Sequence, residues 1–442
     1  MSTVSACILV KEQNKFLRSC LDSIYQYVDE IVIANNGPRG DVDFARQEYG
    51  AIVVEAQEGI WDGARNHYMN AATKSWILVV DVDECLSTQA LINIYKHIND
   101  TSERTFGFLL PRYEYLGEGQ WAYTQLLRLF RNHPEVKYGP HHIHASPGKS
   151  IVKLRGEIQV LNDVAIHHFD ILFHRKTALK RNTYMSRLYE ELREDPQNPH
   201  FHYYLGLEYA AQGYISTAEK YFQESISLDR TGRATQRARL YLSQLYLSLD
   251  QLNEAEDQIK KMLEKNSEYM DRGYMILSEI FLRRNMKTLS IEYGLKALEA
   301  NPAAAHHHVN YASLIASENP ALSLRHIAEA IRLNAYLLNP MIYKPGERPN
   351  VFQLQNCFLS STINVYSQVT DLIAVLRGPN YLFDYCERMA EEAQTACNMT
   401  ELFSGLYKFK ADQRFTDKLF SYISTIQTSS AIVGKEGERD VN

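Results

Sequence analysis

The sequence predicts an α/β domain followed by an all-α domain of helical repeats, and two observations lead to this fold class. Over residues 1–175, short apolar runs alternate with segments of helical periodicity, an order typical of a largely parallel, doubly wound sheet. Over residues 199–334, small and aromatic residues recur with a period of about 34 residues, which is typical of paired-helix repeats. We therefore expect two domains of different class in one chain.

Composition and charge limit the classes of function. The chain has 442 residues, and its 45% of hydrophobic residues is ordinary for a soluble globular protein. A net charge of −6 gives no support for a surface that binds nucleic acid or anionic membranes. No apolar run approaches the ~20 residues that a membrane span needs, and no basic leader precedes the first apolar run. The six cysteines form no C-x-x-C pair, so we expect reduced thiols and a cytoplasmic protein.

The first elements follow from hydrophobic periodicity. We predict strands at Val4–Val10, Glu30–Ala34, Ala51–Glu55 and Trp76–Asp81, and helices at Asn14–Tyr27, Val42–Tyr49 and Ala64–Ala72. The fourth strand is apolar without alternation, which indicates burial on both of its faces.

Two aspartates spaced by one residue end that fourth strand. On an extended strand the carboxylates of Asp81 and Asp83 point the same way, so both can face one cation. Ligands bind at the carboxyl edge of open α/β sheets, and oxygen ligands there suit Mg²⁺ or Mn²⁺ with a diphosphate completing the shell. The competing interpretation is a solvated strand end and helix cap, because short motifs recur by chance.

The order of these segments resembles that of the family-2 glycosyltransferases with the GT-A fold. The resemblance covers residues 4–175 and rests on Leu9-Val-Lys-Glu12, Val28-Asp-Glu-Ile-Val-Ile33, Gly63-Ala-Arg-Asn66 and the DxD motif of Asp81–Glu84. It implies a GT-A catalytic domain that takes a nucleotide-sugar donor. The diphosphate of such a donor leaves as an anion, and a divalent metal assists its departure.

The resemblance also implies roles for individual residues. Asp83 is expected to hold the metal, Asp81 to contact the ribose or a water on the metal, and Arg65 to contact donor phosphate or sugar. The implied nucleotide-sugar site consists of Val10, Glu12, Asn35, Arg65, Asp81, Val82 and Asp83. Asn35 stands where the family usually has an aspartate, so the identity of the nucleotide stays open.

A histidine-rich stretch follows. Residues 125–131 and 136–144 resemble the arginine-bearing strand and the acceptor loop of the family, and His167 matches the place of a third metal ligand beside the two aspartates. Inverting transfer needs a base for the acceptor proton. Many relatives have His-Glu where this chain has His144-Ala145, so His144 is our first candidate, with Asp163 and Glu114 as alternatives.

The predicted organisation has five parts: a catalytic domain at 1–175, a linking helix at 176–198, tetratricopeptide repeats at 199–334, a further helical region at 335–428 and a disordered tail at 429–442. Stacked repeats of this kind form a curved superhelix whose concave face takes an extended peptide or another protein. Three consecutive histidines at 306–308 are expected to form a polar helix start.

Domains in this order resemble the bacterial peptide and protein glycosyltransferases, including those that glycosylate bacteriocins on sulfur. The resemblance implies transfer of a hexose from a UDP-sugar to a polypeptide side chain, with the acceptor bound by the repeats and no role for nucleic acid. Transfer to a lipopolysaccharide core or other glycan is the second hypothesis, and a non-catalytic repeat scaffold is the third. The sugar, the acceptor atom (O, S or N) and homodimer formation stay open.

Overall fold

The N-terminal part of the chain folds as a mixed sheet covered by helices. The computed structural model describes residues 2–11, 16–37, 42–56, 61–139, 146–169, 178–229, 232–264, 268–338, 342 and 355–362. Within these residues nine strands form one sheet: β1 Val4–Val10, β2 Glu30–Asn35, β3 Ile52–Glu55, β4 Trp76–Val79, β5 Glu84–Leu86, β6 Thr105–Gly117, β7 Gln120–Arg131, β8 Glu157–Val160 and β9 Ile166–His168. The helices of this part are α1 Leu17–Ile24, α2 Asp43–Tyr49, α3 Trp61–Ala71, α4 Thr88–Asp100 and α5 Gly148–Lys153.

The strand order is β3-β2-β1-β4-β7-β6-β9-β5, with β8 beside β6. Strands β3, β2, β1 and β4 are parallel, as the alternation of strand and helix predicts. Every residue of β1 and β4 is buried, because both strands lie in the middle of the sheet between layers of helices. In the second half, β7 runs antiparallel to β4 and β6, and β5 to β9, whereas β6 is parallel to β8 and β9, so the sheet is mixed.

The fourth strand is shorter than predicted. It ends at Val79, and the next residues form a turn in which the amide of Glu84 donates to the carbonyl oxygen of Asp81 at 3.0 Å. The chain then enters the short strand β5. Asp81 and Asp83 therefore lie in a turn, so the prediction that they stand on an extended strand is wrong.

Strands β6 and β7 form a long hairpin that pairs Tyr113 with Tyr123 and Tyr115 with Trp121. Its turn holds three successive residues with positive φ: Gly117 at 92°, Glu118 at 53° and Gly119 at 73°. Glycine adopts this left-handed backbone without a steric penalty, which explains the two glycines that flank the turn. The end of this hairpin contacts the helical part of the chain.

The helical part begins with α6 Ala178–Glu194, which falls where the linking helix is expected. Four antiparallel pairs follow: α7 Pro199–Ala211 with α8 Ile215–Leu228, α9 Arg233–Ser248 with α10 Leu252–Leu263, α11 Met270–Arg283 with α12 Lys287–Ala300, and α13 Ala305–Ile315 with α14 Pro320–Leu333. Pairs of this length, stacked in sequence, are the architecture of tetratricopeptide repeats.

Small residues set the distance between paired helices, as the repeat pattern predicts. The hydroxyl of Ser243 in α9 donates to the carbonyl oxygen of Ala255 at 2.9 Å, and Ser278 in α11 donates to that of Ser290 at 2.7 Å. In the first pair a methyl group on Gly206 would lie only 2.7 Å from the ring of Phe222. These positions therefore serve helix packing and are not candidates for a site.

The two domains meet where the hairpin packs against the last repeat. The hydroxyl of Tyr115 donates to the Oδ1 of Asn334 at 3.1 Å, and the indole Nε1 of Trp121 donates to the Nδ1 of His306 at 3.4 Å. Beyond the hairpin turn, the amide of Gly119 donates to the carbonyl oxygen of Ile342 at 3.0 Å. Residues far apart in the chain thus form one interface.

Residues 355–362, which we name the C-terminal strap, complete this interface. The strap forms an antiparallel bridge between Asn356 and Ala122, and the amide of Cys357 donates to the carbonyl oxygen of Trp121 at 3.2 Å. The ring of Phe358 packs edge-on against Trp121 at 4.7 Å between centroids. The hairpin is therefore covered on one side by the strap and on another by α13.

The three histidines at 306–308 are not a polar helix start. Their exposed fractions are 0%, 1% and 7%, because the hairpin covers α13. His307 contacts Asp271 at 3.1 Å and His308 contacts the carbonyl oxygen of Pro302 at 2.9 Å, so each ring has a polar partner inside the interface.

Most of the predicted helical region at 335–428, and the tail at 429–442, lie outside the described residues. The structure gives two short 3₁₀ turns there, at Ala335–Leu338 and Ser360–Thr362. Among the described helices, none has both the length and the apolar character that a bilayer span requires.

Candidate active site

Asp81 lies in the turn after β4, at the carboxyl edge of the parallel strands, and two arginines bind its carboxylate. The Nη2 of Arg65, from α3, donates to Oδ1 at 3.1 Å, and the Nη2 of Arg128, from β7, donates to Oδ2. Burial opposes the charge of Asp81, but Arg128 and Arg65 hold its pKa well below the ordinary value. Asp81 is therefore a permanent anion whose two oxygens both face guanidinium groups.

Glu84 is a second anion of this cluster and is fully buried. Its Oε1 accepts from Arg128 at 2.9 Å and from Arg112, on β6, at 3.2 Å. Its Oε2 accepts from the backbone amide of Asp81 at 2.9 Å, which fixes the turn that carries both aspartates. Glu84 thus ties the hairpin arginines to the turn after β4.

Asp83 faces a histidine. Its Oδ2 lies 3.4 Å from the Nε2 of His168, and the Nδ1 of the same ring lies 4.0 Å from the Oε1 of Glu114. Burial lowers the pKa of His168, but the charge of Asp83 outweighs it and raises that pKa to about 9. Asp83 in turn has a lowered pKa, because the attraction of His168 exceeds the opposing effect of burial. The two form an ion pair at neutral pH.

His167, the predicted third metal ligand, lies elsewhere. Successive strand residues point to opposite faces, and β9 turns His168 toward Asp83 and His167 away from it. The Nδ1 of His167 lies 2.8 Å from the hydroxyl of Tyr115, and its ring stacks on Tyr336 at 4.0 Å between centroids. Burial lowers its pKa to about 3, so the ring is neutral. The structure thus brings His168 to the aspartates in place of His167.

The remaining predicted donor-site residues lie along the same edge or outside the described part. Val10 and Asn35 are buried at the ends of β1 and β2, and the side chain of Asn35 bonds both the amide and the carbonyl oxygen of Gly37. Val82 is partly buried against the core under the turn. Glu12 lies outside the described residues.

The three base candidates have different fates. His144 lies outside the described residues. Glu114 is 4% exposed, lies in the cluster and is paired with Arg112. Asp163 lies away from the charged cluster. Its carboxylate contacts His97 at 2.9 Å, near the end of α4. That end of α4 also contacts Ser2, just before β1. That is the amino edge of the parallel strands, opposite to the edge that carries the aspartates.

Four cluster residues are absent from the predicted site: Glu84, Arg112, Arg128 and His168. A weak signal existed for two of them. Glu84 is part of the DxD segment, and Arg128 lies on the segment 125–131 that the family resemblance marks as arginine-bearing. Arg112 has no local signal, because only the pairing of β6 with β9 brings it to the turn.

Comparison with protein families decides the class of this domain. Residues 5–153 match the family model described as glycosyl transferase family 2. The N-terminal domain is thus similar to glycosyltransferase family 2 over these residues. The matched residues include most of β1 to β7, the DxD turn and both hairpin arginines, whereas His168 lies beyond the match.

Individual relatives match both parts of the chain. A TPR repeat-containing protein of Synechococcus elongatus is 26% identical over 315 residues, which are 68% of this chain and 76% of the relative. The SPbeta prophage-derived glycosyltransferase SunS of Bacillus subtilis is 24% identical over 241 residues. That match covers 51% of this chain and 53% of SunS, so this chain spans about half the length of that relative.

Among solved structures, a chain described as Pseudomonas aeruginosa pilF matches at 13% identity with a TM-score of 0.37. It covers 51% of this chain and 89% of that chain. The chain thus matches the family 2 model over residues 5–153, and helix pairs with the architecture of tetratricopeptide repeats follow.

Proposed function

We propose that the protein is a metal-dependent inverting glycosyltransferase that moves a hexose from a nucleotide sugar, UDP-linked as the resemblance implies, to a side chain of a polypeptide. The observation that carries this proposal is the charged cluster around the DxD turn, of which all residues but His168 lie within the family 2 match. Asp81, Asp83, Glu84 and Glu114 are matched there by Arg65, Arg112, Arg128 and protonated His168.

This balance of charge suits a donor that arrives with a metal. A divalent cation and the doubly charged diphosphate of a nucleotide sugar together add no net charge, and His168 would release its proton when it binds the metal. Burying an unbalanced charge is costly, which favours a ligand pair of this kind over either partner alone.

The residues present fit Mg²⁺ or Mn²⁺ with few protein ligands. Both oxygens of Asp81 are taken by arginines, which leaves Asp83 and His168 as the ligand pair, a carboxylate and an imidazole. The buried Nδ1 of His168 has no hydrogen-bond partner among the described residues. The described residues contain no group of three side chains arranged to hold a metal. Diphosphate oxygens and water usually complete such a shell.

The chain's own residues then have distinct tasks. The bound metal would offset the charge that develops on the departing diphosphate. Arg65 is the most exposed of the three arginines, with 21% of its side chain accessible against 17% for Arg112, and it would bind a phosphate oxygen. Arg128 and Glu84 hold Asp81 and its turn in position. The base that takes the acceptor proton is His144 or Glu114. His144→Ala and Glu114→Gln test the two in turn. The variant that removes the base should lower the rate of transfer by roughly 10²–10⁴-fold, and the other should not.

The acceptor side of the proposal comes from the repeats. Stacked helix pairs present an extended concave face, which suits a polypeptide better than a small glycan. Transfer to a lipopolysaccharide core or other glycan is the alternative, and a non-catalytic scaffold is disfavoured by the intact cluster. The described cysteines, Cys7, Cys20, Cys85 and Cys357, are free thiols, which fits a reducing compartment such as the cytoplasm.

Donor hydrolysis tests the proposal directly. The purified protein is incubated with a panel of nucleotide sugars with Mn²⁺, with Mg²⁺ or with chelator, and released nucleotide is measured. We expect hydrolysis of one donor class that needs the metal and is abolished by Asp83→Ala. Asp163→Ala, which removes a carboxylate at the opposite edge of the sheet, is the matched control and should keep wild-type activity. Undiminished hydrolysis in chelator, or in Asp83→Ala, would remove the metal mechanism.

A further inference from the structure

The strand β9 has only three residues, Ile166–His168, and it joins the DxD turn to the sheet. One edge of β9 pairs with β6 and the other with β5, the short strand that begins at Glu84. Among the strands that the structure describes, β5 pairs with β9 alone. The amide of Phe169, the next residue after β9, also donates to the carbonyl oxygen of Asp83 at 3.2 Å. The position of β9 therefore sets the position of the downstream half of the turn.

The two faces of β9 have different neighbours. His168 points to the charged cluster, where its Nε2 lies 3.4 Å from the Oδ2 of Asp83. The residues before and after it, His167 and Phe169, point to the opposite face, as alternation along an extended chain requires. The ring of Tyr115, on β6, lies on that face and stacks on both of these rings, at centroid distances of 6.0 Å and 5.2 Å. Contacts that hold the two rings therefore also determine how His168 meets Asp83.

The repeat domain supplies further contacts on the same face. Tyr336, just beyond the last helix of the repeats, stacks on His167 at 4.0 Å between centroids and lies 5.4 Å from Phe169. Asn334, which ends α14 and is 1% exposed, accepts from the hydroxyl of Tyr115 at 3.1 Å. Because a strand of three residues makes few ladder hydrogen bonds, these side-chain contacts decide much of the position of β9.

The hydrogen bonds on this face form a chain with one direction. The Oδ1 of Asn334 also accepts from the backbone amide of Tyr336 at 3.1 Å, which identifies this atom as the oxygen of the side-chain amide. Tyr115 must therefore donate its one hydroxyl proton to Asn334. The Nδ1 of His167, 2.8 Å from the same hydroxyl, must then donate to the tyrosine oxygen. Asn334 thus fixes, through Tyr115, which nitrogen of His167 carries the proton and how its ring is oriented.

We propose that the end of the repeat domain is a positioning element of the metal site. Asn334 and Tyr336 fix the ring of His167, and β9 thereby presents His168 to Asp83 on its other face. The inference rests on the proposed function, since it takes Asp83 and His168 as the metal ligands. The repeats therefore serve the donor half of the reaction as well as the acceptor half.

Manganese binding to the full-length protein tests this inference. Mn²⁺ is titrated by calorimetry in the presence of UDP, and pulsed electron paramagnetic resonance of the bound Mn²⁺ detects the nitrogen of a coordinated imidazole. Tyr115→Phe keeps the ring and removes the hydroxyl that joins Asn334 to His167. We expect it to weaken Mn²⁺ binding about three- to tenfold, less than the roughly 10–100-fold that loss of a direct partner of a metal ligand costs. The nitrogen signal should fall as well, whereas a general loss of stability would not change the ligands of the protein that stays folded.

Tyr123→Phe is the matched control. The hydroxyl of Tyr123 accepts from the side-chain amide of Gln125 at 3.3 Å, and its ring lies 5.1 Å from that of His306 in the same interface between hairpin and repeats. Tyr123 is on β7, however, and β6 separates β7 from β9. We expect Tyr123→Phe to keep the Mn²⁺ affinity and the nitrogen signal of the wild-type protein.

A second variant keeps the test decisive if Tyr115→Phe does not fold. Asn334→Ala changes only the repeat end of the chain of hydrogen bonds and should weaken Mn²⁺ binding by a similar factor. Combined with Tyr115→Phe it should add little, because the two residues act in series. Asn319→Ala removes a cap at the other end of α14 and should bind Mn²⁺ as the wild-type protein does.

Three outcomes separate the possible failures. The inference is overturned if Tyr115→Phe and Asn334→Ala both keep the wild-type affinity and nitrogen signal. It is overturned as well if Tyr123→Phe and Asn319→Ala lower both as strongly, because the effect would then come from the stability of the interface. A wild-type protein that hydrolyses no donor and binds no Mn²⁺ with UDP contradicts the proposed function itself, and the positioning role falls with it.

Discussion

Arg128 is the central cation of the active-site cluster, and replacing it with leucine tests whether the cluster is a unit. The arginine is 8% exposed as a side chain and bonds both Asp81 and Glu84, of which Glu84 is 0% exposed. Arg128→Leu leaves those carboxylates without their shared partner. Loss of one partner from a buried ion pair destabilises a protein by about 3–5 kcal/mol, because the other charge stays buried and unpaired.

Urea unfolding followed by tryptophan fluorescence measures this effect in the right domain. The three tryptophans of the chain all lie in the family 2 domain, and Trp76 and Trp121 are fully buried. With a urea slope of about 2 kcal/mol per molar, the midpoint should fall by about 1.5–2.5 M.

Arg46→Leu is the matched control, because its pair with Asp43 is about half exposed on both sides, at 49% and 54%. Exposed pairs contribute about 1 kcal/mol or less, so its midpoint should move by about 0.5 M or less. The urea midpoint of Arg128→Lys should fall between those two, because lysine keeps the positive charge but lacks the planar guanidinium that bonds both carboxylates. Equal shifts for Arg128→Leu and Arg46→Leu would refute the view that buried charge pairing holds this site together.

Two further predictions follow from the site and the repeats. His168→Ala should weaken Mn²⁺ binding, measured by calorimetry in the presence of nucleotide diphosphate, by roughly 10–100-fold. His167→Ala should weaken the affinity for Mn²⁺ no more than Tyr115→Phe does. If His167→Ala weakened Mn²⁺ binding and His168→Ala did not, His167 would be the metal ligand, as the sequence predicts. In the repeats, burial opposes the charge of Asp271, but hydrogen bonds from His307 and Asn301 lower its pKa below the ordinary value. A lowered carboxyl pKa stabilises the folded state above the pKa of the unfolded chain, and this stability is lost as pH falls below about 4. Asp271→Asn should flatten that acid limb in thermal unfolding followed by circular dichroism, and an unchanged limb would contradict the assignment.

The parallel half of the sheet was predictable because its signals are local. Strands β1 and β4 are apolar runs without alternation, and burial on both faces needs that composition. The repeats were predictable for a similar reason, since the small residues at Ser243 and Ser278 recur at a regular interval. In both cases the residues that form the sequence pattern are the residues that make the packing contacts.

The details of the site depend on strand register and long-range pairing, which no local pattern reveals. His167 and His168 are adjacent, and a shift of one residue in β9 would exchange their faces. The resemblance places a histidine at the strand end but does not decide between neighbours. Arg112 reaches Glu84 only because β6 runs beside β9, and the two residues are 28 positions apart in the chain.

The histidines at 306–308 also show that a local pattern does not reveal what a distant element covers. A run of three polar rings is an ordinary sign of exposure. Here the hairpin covers α13, and Trp121 and Asp271 supply polar partners for two of the rings. A sequence pattern describes an element by itself, and it fails where a distant element changes what surrounds it.

The contact between Tyr115 and Asn334 joins residues 219 positions apart, and this separation has a consequence for biosynthesis. Ribosomes add about 5–20 residues per second, so the hairpin waits about 10–45 seconds for its partner to be made. During that time the aromatic end of the hairpin, including Trp121, has no cover from the last repeat or the strap. Nascent chains of this protein should therefore engage holding chaperones until the last repeat leaves the ribosome. Packing of the hairpin against the last repeat and the strap should be a late step of folding.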